Sequence, residues 1–288
     1  MEALLKYALI GVATLYTATV GFLAVRENAL VYPGANGRTF RQLPDRNYPF
    51  AWDTLRVAAP DSVPVLLLES RVDTAPNRPW ALYLHGNLGL LGARGNVARY
   101  QLLRDAGFNV LAVEYRGFGL SDDVGKPSER GLTNDAFAGW NYLTTTRGVS
   151  PDRVMIYGLS LGGGPAVTLA SEVEAGALVT EGTATSLPDV GAARYPWVPV
   201  RLIMRNKYRT IARAAAMAEP WTIFHGRRDV TVPFTHGEAL STAAPRANFV
   251  PLNADHDGGV LEDRRTAFPV LRDIARRIQS PVVADTSR

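Results

Sequence analysis

The sequence predicts an α/β protein: a mostly parallel, eight-stranded sheet with helices on both faces and a short helical cap. Three observations predict it. Short β-rich apolar runs alternate with helical patterns along most of the chain, the grammar of parallel strands joined by crossover helices. The chain has 288 residues, 47% of them apolar, which is enough for one large buried core. One long stretch, 182–219, breaks the alternation with apolar residues of its own, among them Leu187, Trp197, Val200, Leu202 and Ile203. Insertions of that length in compact domains commonly cover a site.

The elements follow in order. Runs at 52–58 and 63–68 read as an opening pair of strands. A strand at 80–84 leads into His85-Gly86-Asn87 and a helix over 96–105. The strand at 109–113 is followed by a helix over 128–146, and the strand at 153–157 by residues 158–162 and a helix reaching 172. After a strand at 177–180 comes the insertion, then strands at 221–224 and 247–252, each with a helical pattern behind it. Sheets of this kind place ligands at the carboxyl ends of their strands.

Upstream, residues 7–25 carry no charge and lie between Lys6 and Arg26. As a helix this run is about 28 Å long, close to the hydrocarbon thickness of a bilayer. It reads as a membrane anchor, with the lipid bilayer as its partner. A cleaved signal peptide with small residues near Ala18, or a helix packed on the domain or on a partner chain, fits the same composition. Pro33, Gly34, Gly37, Pro44 and Pro49 then mark an irregular linker or arm. The expected division is an apolar helix over 1–26, an arm over 27–50, a domain over 51–280 with its insertion at 182–219, and a tail over 281–288.

Composition excludes several functions. The net charge is only +4, and no basic run is interleaved with aromatics, so nucleic acid is not an expected partner. The chain has no cysteine, which removes disulfides, thiolate metal sites and a cysteine nucleophile. None of the four histidines has the spacing of a zinc helix. Neither a metal nor an organic cofactor is expected.

The chemistry centres on Gly158-x-Ser160-x-Gly162, set between an apolar strand and a helical pattern. A strand that turns sharply into a helix holds its serine in a strained backbone, and residues two before and two after pack too closely for a Cβ. Ser160 would be the nucleophile, at the N-terminus of the following helix, where the dipole favours negative charge. Serine needs a base, and His256 lies in the polar turn Asn253-Ala254-Asp255-His256 after the last strand. The base needs an acid. Asp229, in the loop after the strand at 221–224, gives the order Ser, Asp, His. Glu181, after the strand at 177–180, is its rival, whereas Asp255 and Asp257 adjoin His256 too closely to orient its ring. The N–H groups of Leu161 and Asn87 are the expected oxyanion donors. His225 and His236 read as structural, and His85 as a partner for backbone near the oxyanion turn.

These residues sit in a wider set of motifs: HGN at 85–87, EYRGFGLSDD at 114–123, KPSERGLTNDA at 126–136, YGLSLGGGPA at 157–166 and HGRRDVTVP at 225–233. From residue 52 to the C-terminal helix the chain resembles the ABHD-type branch of the α/β-hydrolases. It is most similar to the small members with an N-terminal membrane segment and a short cap, which include protein depalmitoylases and lipid or ester hydrolases. The resemblance implies Ser160, Asp229 and His256 as a triad and Asn87 and Leu161 as oxyanion turns. Relatives often have Glu-Ser-Pro where this chain has Glu181-Gly182-Thr183. The expected activity is hydrolysis of a small acyl or lipid-like carboxylic ester through an acyl-enzyme. A thioesterase acting on acylated protein, a cofactor-free haloperoxidase-like enzyme and a non-catalytic anchored binding module are the alternatives.

Overall fold

The structure is a computed structural model that describes residues 1–36, 50–72, 78–121 and 123–279. The expected tail at 281–288 and most of the expected arm, 37–49, lie outside the described residues. The strands are β1 (Asp53–Ala58), β2 (Pro64–Ser70), β3 (Trp80–Leu84), β4 (Asn109–Glu114), β5 (Val154–Leu159), β6 (Ala177–Glu181), β7 (Trp221–Gly226) and β8 (Asn248–Leu252). They form one sheet in the order β1-β2-β4-β3-β5-β6-β7-β8. Only the β1/β2 and β2/β4 pairs are antiparallel, and the remaining pairs are parallel.

The helices are α1 (Glu2–Val25), α2 (Glu27–Val31), α3 (Arg94–Ala106), α4 (Glu129–Asn141), α5 (Gly163–Ala170), α6 (Leu187–Arg194), α7 (Val200–Ile203), α8 (Ile211–Ala214), α9 (Thr235–Ala243), α10 (Gly259–Glu262) and α11 (Arg264–Gln279). They cover both faces because successive strand residues point to opposite sides. Leu82, Leu84, Leu111, Val113, Val154 and Ile156 face the side of α4, α5 and α9. Ala81, Tyr83, Val110, Ala112, Met155 and Tyr157 face the side of α3, α10 and α11. A sheet buried on both faces needs the continuous apolar runs that mark its central strands.

Local chemistry sets several boundaries. Ser128 caps α4, its Oγ accepting from the Gly131 N–H at 3.0 Å. The helix expected to run to 146 changes character at Tyr142–Thr146, which form a π-helical turn. α3 ends at Gly107, whose φ of 117° is open to glycine. The insertion between β6 and β7 holds α6, α7 and α8. Ser186 caps α6, accepting from the Asp189 N–H at 3.2 Å.

The segment after α1 is not irregular where it is described. Residues 27–31 form α2 and Pro33–Asn36 a 3-10 turn. Glu27 is buried, and its carboxylate accepts from the backbone N–H groups of Arg205 at 2.9 Å and Asn206 at 2.7 Å. Those bonds hold it ionised below the usual glutamate range even though burial pushes the other way. Tyr32, fully buried, donates to Asn206 Oδ1 at 2.8 Å and lies 3.0 Å from the Tyr208 hydroxyl. The arm is thus clamped to the insertion by contacts distant in sequence.

Candidate active site

β5 delivers Ser160 to the carboxyl edge of the sheet, a 3-10 turn carries Ser160–Gly162, and α5 begins at Gly163. Ser160 has φ 52°, one of three non-glycine residues with positive φ among those described, so the turn is strained at the serine itself. A Cβ on Gly158 would lie 2.6 Å from the Ala166 Cβ, and one on Gly162 would collide with the Leu84 carbonyl. Both expected elbow glycines therefore occupy positions with no room for a side chain.

The structure brings Ser160, His256 and Asp229 into one chain of hydrogen bonds. Ser160 Oγ lies 2.9 Å from His256 Nε2, and His256 Nδ1 lies 2.6 Å from Asp229 Oδ2. The carboxylate can only accept. Nδ1 therefore carries the proton and Nε2 is left to accept from the serine hydroxyl. Asp229 is held by its own turn, its Oδ1 accepting from the N–H groups of Thr231 at 2.9 Å and Val232 at 2.8 Å. His256 sits after β8, in a turn where Asp255 Oδ1 accepts from the Gly258 N–H at 2.7 Å. That bond occupies Asp255 away from the imidazole.

Glu181 does something else. Its carboxylate accepts from Arg99 Nε at 2.9 Å, Arg99 Nη2 at 2.7 Å, the Tyr157 hydroxyl at 2.5 Å and the Val260 N–H at 2.9 Å. Burial alone would raise its pKa, but Arg99 and the other donors bring it below the usual range. Arg99 Nη2 also donates to the Asp257 carbonyl at 3.1 Å. The Arg99–Glu181 pair thus braces the loop that carries His256 from beneath. Arg99 and Tyr157 escaped the reading of the sequence, where the one signal was an arginine on the apolar face of α3.

His225 Nε2 donates to the Val232 carbonyl at 2.8 Å, and burial lowers its pKa. His236 Nδ1 accepts from the Thr185 N–H at 3.3 Å and lies 2.8 Å from the Thr185 hydroxyl. His85 Nδ1 donates to the Gly86 carbonyl at 2.8 Å, while its Nε2 lies 3.2 Å from Glu114 Oε1. All three shape loops around the site without reaching the serine. Gly182 has φ 59°, and a Cβ there would lie 3.3 Å from the His256 ring.

Ser160 opens into a cavity of about 270 Å³, walled by Asn87, Leu161, Thr183, Leu187, Val190, Ile203 and Met204. Leu23 and Ala24 of α1, and Leu30 and Val31 of α2, also contribute to the wall. No local sequence signal marks these N-terminal residues, since only the packing of the arm brings them there. Asn87 and Leu161, the expected oxyanion residues, line the same cavity as the serine, and the Asn87 carbonyl accepts from the Gly34 N–H at 3.1 Å. Among the described residues, no group of three or more metal-ligating side chains comes together.

No protein-family model matches the chain. An uncharacterized protein of Mycobacterium tuberculosis is 36% identical over 196 residues, covering 67% of this chain and 68% of that one. Lysophosphatidylserine lipase ABHD12 of Rattus norvegicus is 31% identical over 207 residues, covering 63% of this chain and 51% of its own. Protein ABHD12B of Homo sapiens is 32% identical over 188 residues, again spanning 51% of that protein, so the match reaches about half the length of these two relatives. Among solved structures, the Pyrococcus furiosus esterase Pf2001 superposes with a TM-score of 0.69 at 18% identity, over 85% of this chain and 99% of that one. The esterase domain of a Rhodothermus marinus protein gives 0.61 at 22% identity, over 80% and 100%. With an eight-stranded sheet of this order and relatives of this kind, the chain belongs to the ABHD-type branch of the α/β-hydrolase superfamily.

Proposed function

We propose that the chain is a serine hydrolase that cleaves acyl or lipid-like carboxylic esters through an acyl-enzyme. The observation that carries this is the unbroken relay from Ser160 through His256 to Asp229 beside an apolar cavity. Ser160 Oγ attacks the ester carbonyl carbon while His256 Nε2 takes its proton. Asp229 holds the imidazole in the required tautomer and stabilises the imidazolium. The N–H groups of Leu161 and Asn87 receive the oxyanion, each such donor contributing about 2.7–4 kcal/mol of barrier lowering. His256 then protonates the leaving alcohol, activates water, and returns the proton to Ser160 as the acid product departs.

The wall of Leu23, Val31, Leu187, Val190, Ile203 and Met204 suits an acyl chain, and the insertion at 182–219 acts as a cap over it. α1 is long and apolar enough to cross a membrane and is unburied along its apolar window, so it serves as an anchor. The lipase name of the rat relative agrees with a lipid-like ester. The test is a chain-length series of p-nitrophenyl esters with fluorophosphonate labelling, on wild type and Ser160→Ala. The alanine variant should lose label and on the order of 10⁶ in kcat. Full turnover by that variant would end this reading, and a preference for matched thioesters over oxygen esters would move it to a thioesterase.

A further inference from the structure

The last turns of α1 do not stand clear of the domain. Thr19, Val20, Leu23 and Ala24 are partly covered, whereas residues 1–18 lie open. The Tyr16 hydroxyl nevertheless donates to the Trp197 carbonyl at 2.9 Å, and Arg205 Nη2 to the Ala24 carbonyl at 3.4 Å. The cap is therefore fastened along α1 as far as the middle of its uncharged run at 7–25. From Tyr7 to Leu15 the helix reaches only about 13 Å beyond that contact, less than half of a hydrocarbon layer of about 30 Å. An α1 that spans a membrane must draw the cap beside it into the lipid.

The cap is built for that place. Trp197 is 53% exposed, Leu202 84% and Tyr195 40%. Tryptophan and tyrosine favour the membrane interface, where one end of the ring is apolar and the other wet. Between residues 187 and 213 the cap carries six basic residues against one acidic residue, Asp189. That excess complements anionic headgroups, and arginine stems can lie along acyl chains while their heads stay in water. The cavity wall is shared by the same two parts, Leu23 and Ala24 from α1 and Tyr195 and Ile203 from the cap.

We infer that the cap tip around Tyr195, Trp197 and Leu202 inserts into an anionic lipid leaflet beside the C-terminal half of α1, so that the Ser160 cavity opens on lipid and draws its acyl chain from the membrane. The substrate class this assigns is an ester whose acyl chain already lies in the bilayer. The inference deepens the hydrolase reading and rests on it for the substrate, but not for the docking.

The full chain is reconstituted in vesicles of phosphatidylcholine and phosphatidylglycerol, with and without bromine on the acyl chains. Bromolipid should quench the fluorescence of the wild type, and Trp197→Phe should remove that quenching. The double variant Trp197→Ser/Leu202→Ser should keep its rate on a soluble short-chain ester, which also reports correct folding. On a long-chain ester in the vesicles it should fall about tenfold or more, the scale set by withdrawing two large apolar side chains from lipid. Equal quenching in wild type and Trp197→Phe, or equal vesicle rates in wild type and double variant, overturns the inference. So does a dimer in which a second copy, rather than lipid, shields Trp197 from a water-soluble quencher. Bromolipid quenching by a protein that cleaves no ester leaves the docking standing and removes the hydrolase reading instead.

Discussion

Glu181 and Asp229 stand at the carboxyl ends of adjacent strands, and from the sequence either could serve His256. Glu181 is the last residue of β6, still paired in the sheet opposite Leu159. Its side chain is buried with Arg99 and Tyr157. Asp229 lies three residues past the end of β7, after a turn closed by its own N–H on the Gly226 carbonyl at 3.2 Å. Those extra residues lift its carboxylate over the sheet edge to the imidazole. Of the two carboxylates, only the one that sits further past its strand meets the His256 ring, at 2.6 Å. The carboxylate nearer its strand instead pairs with Arg99, which braces the loop that carries His256.

That contrast can be broken at either carboxylate. The largest effect is expected at Asp229→Asn, where kcat should drop on the order of 10⁴-fold with the fold intact, because the imidazole is left in the wrong tautomer. Steady-state kinetics alongside circular dichroism checks it, and an unchanged kcat would mean that Asp229 does not serve the base. Next comes Arg99→Met, which strands the Glu181 carboxylate in the interior and should cost about 3–5 kcal/mol in urea unfolding. Arg99→Met/Glu181→Leu should recover most of that stability while loosening the His256 loop, seen as a lower kcat on a folded protein.

A pH series sharpens the comparison further. Glu181 has a folded pKa below its ordinary value of 4.5, so the charged form favours the fold. Its contribution is present above pH 4.5 and is lost as pH falls through the lowered value. For His225 it is burial that lowers the pKa, from its ordinary 6.5. Stability should therefore begin to fall as pH drops below 6.5 and decline further below 4.5. In thermal melts, His225→Gln should flatten the first part of that decline and Glu181→Gln the second. The smallest effect belongs to the exposed pair of Arg201 and Asp189, at 3.0 Å. Arg201→Ala should change stability by about 0–1 kcal/mol, within the scatter of repeated melts.

The sheet was legible because its central strands, buried on both faces, announce themselves as unbroken apolar runs, and all eight expected runs, the more exposed β1 and β8 included, form strands in the structure. Their ends were less legible. β5 continues through Gly158 and Leu159 because backbone pairing with Thr180 and Glu181 holds them, a force that no side-chain pattern reveals. Ser160, Asp229 and His256 could be picked out because each follows a strand at the same edge, and the structure brings all three together. The arm could not. Its prolines and glycines signal irregular backbone, whereas the described part, residues 27–36, is held by Glu27 and Tyr32 meeting Asn206 and Tyr208 more than 170 positions away. The N-terminal share of the cavity wall was hidden for the same reason.

The Gly34 bond to the Asn87 carbonyl bears on how the protein can be trimmed. A chain cut before Glu27 sheds the greasy helix but also removes Leu23 and Ala24 from the cavity. A cut beyond Asn36 leaves the turn at Asn87 without its N-terminal tether as well. Shortening the N-terminus to obtain a detergent-free preparation therefore removes part of the cavity wall first and the tether of the Asn87 turn second. Surface substitutions on an intact helix are the better route.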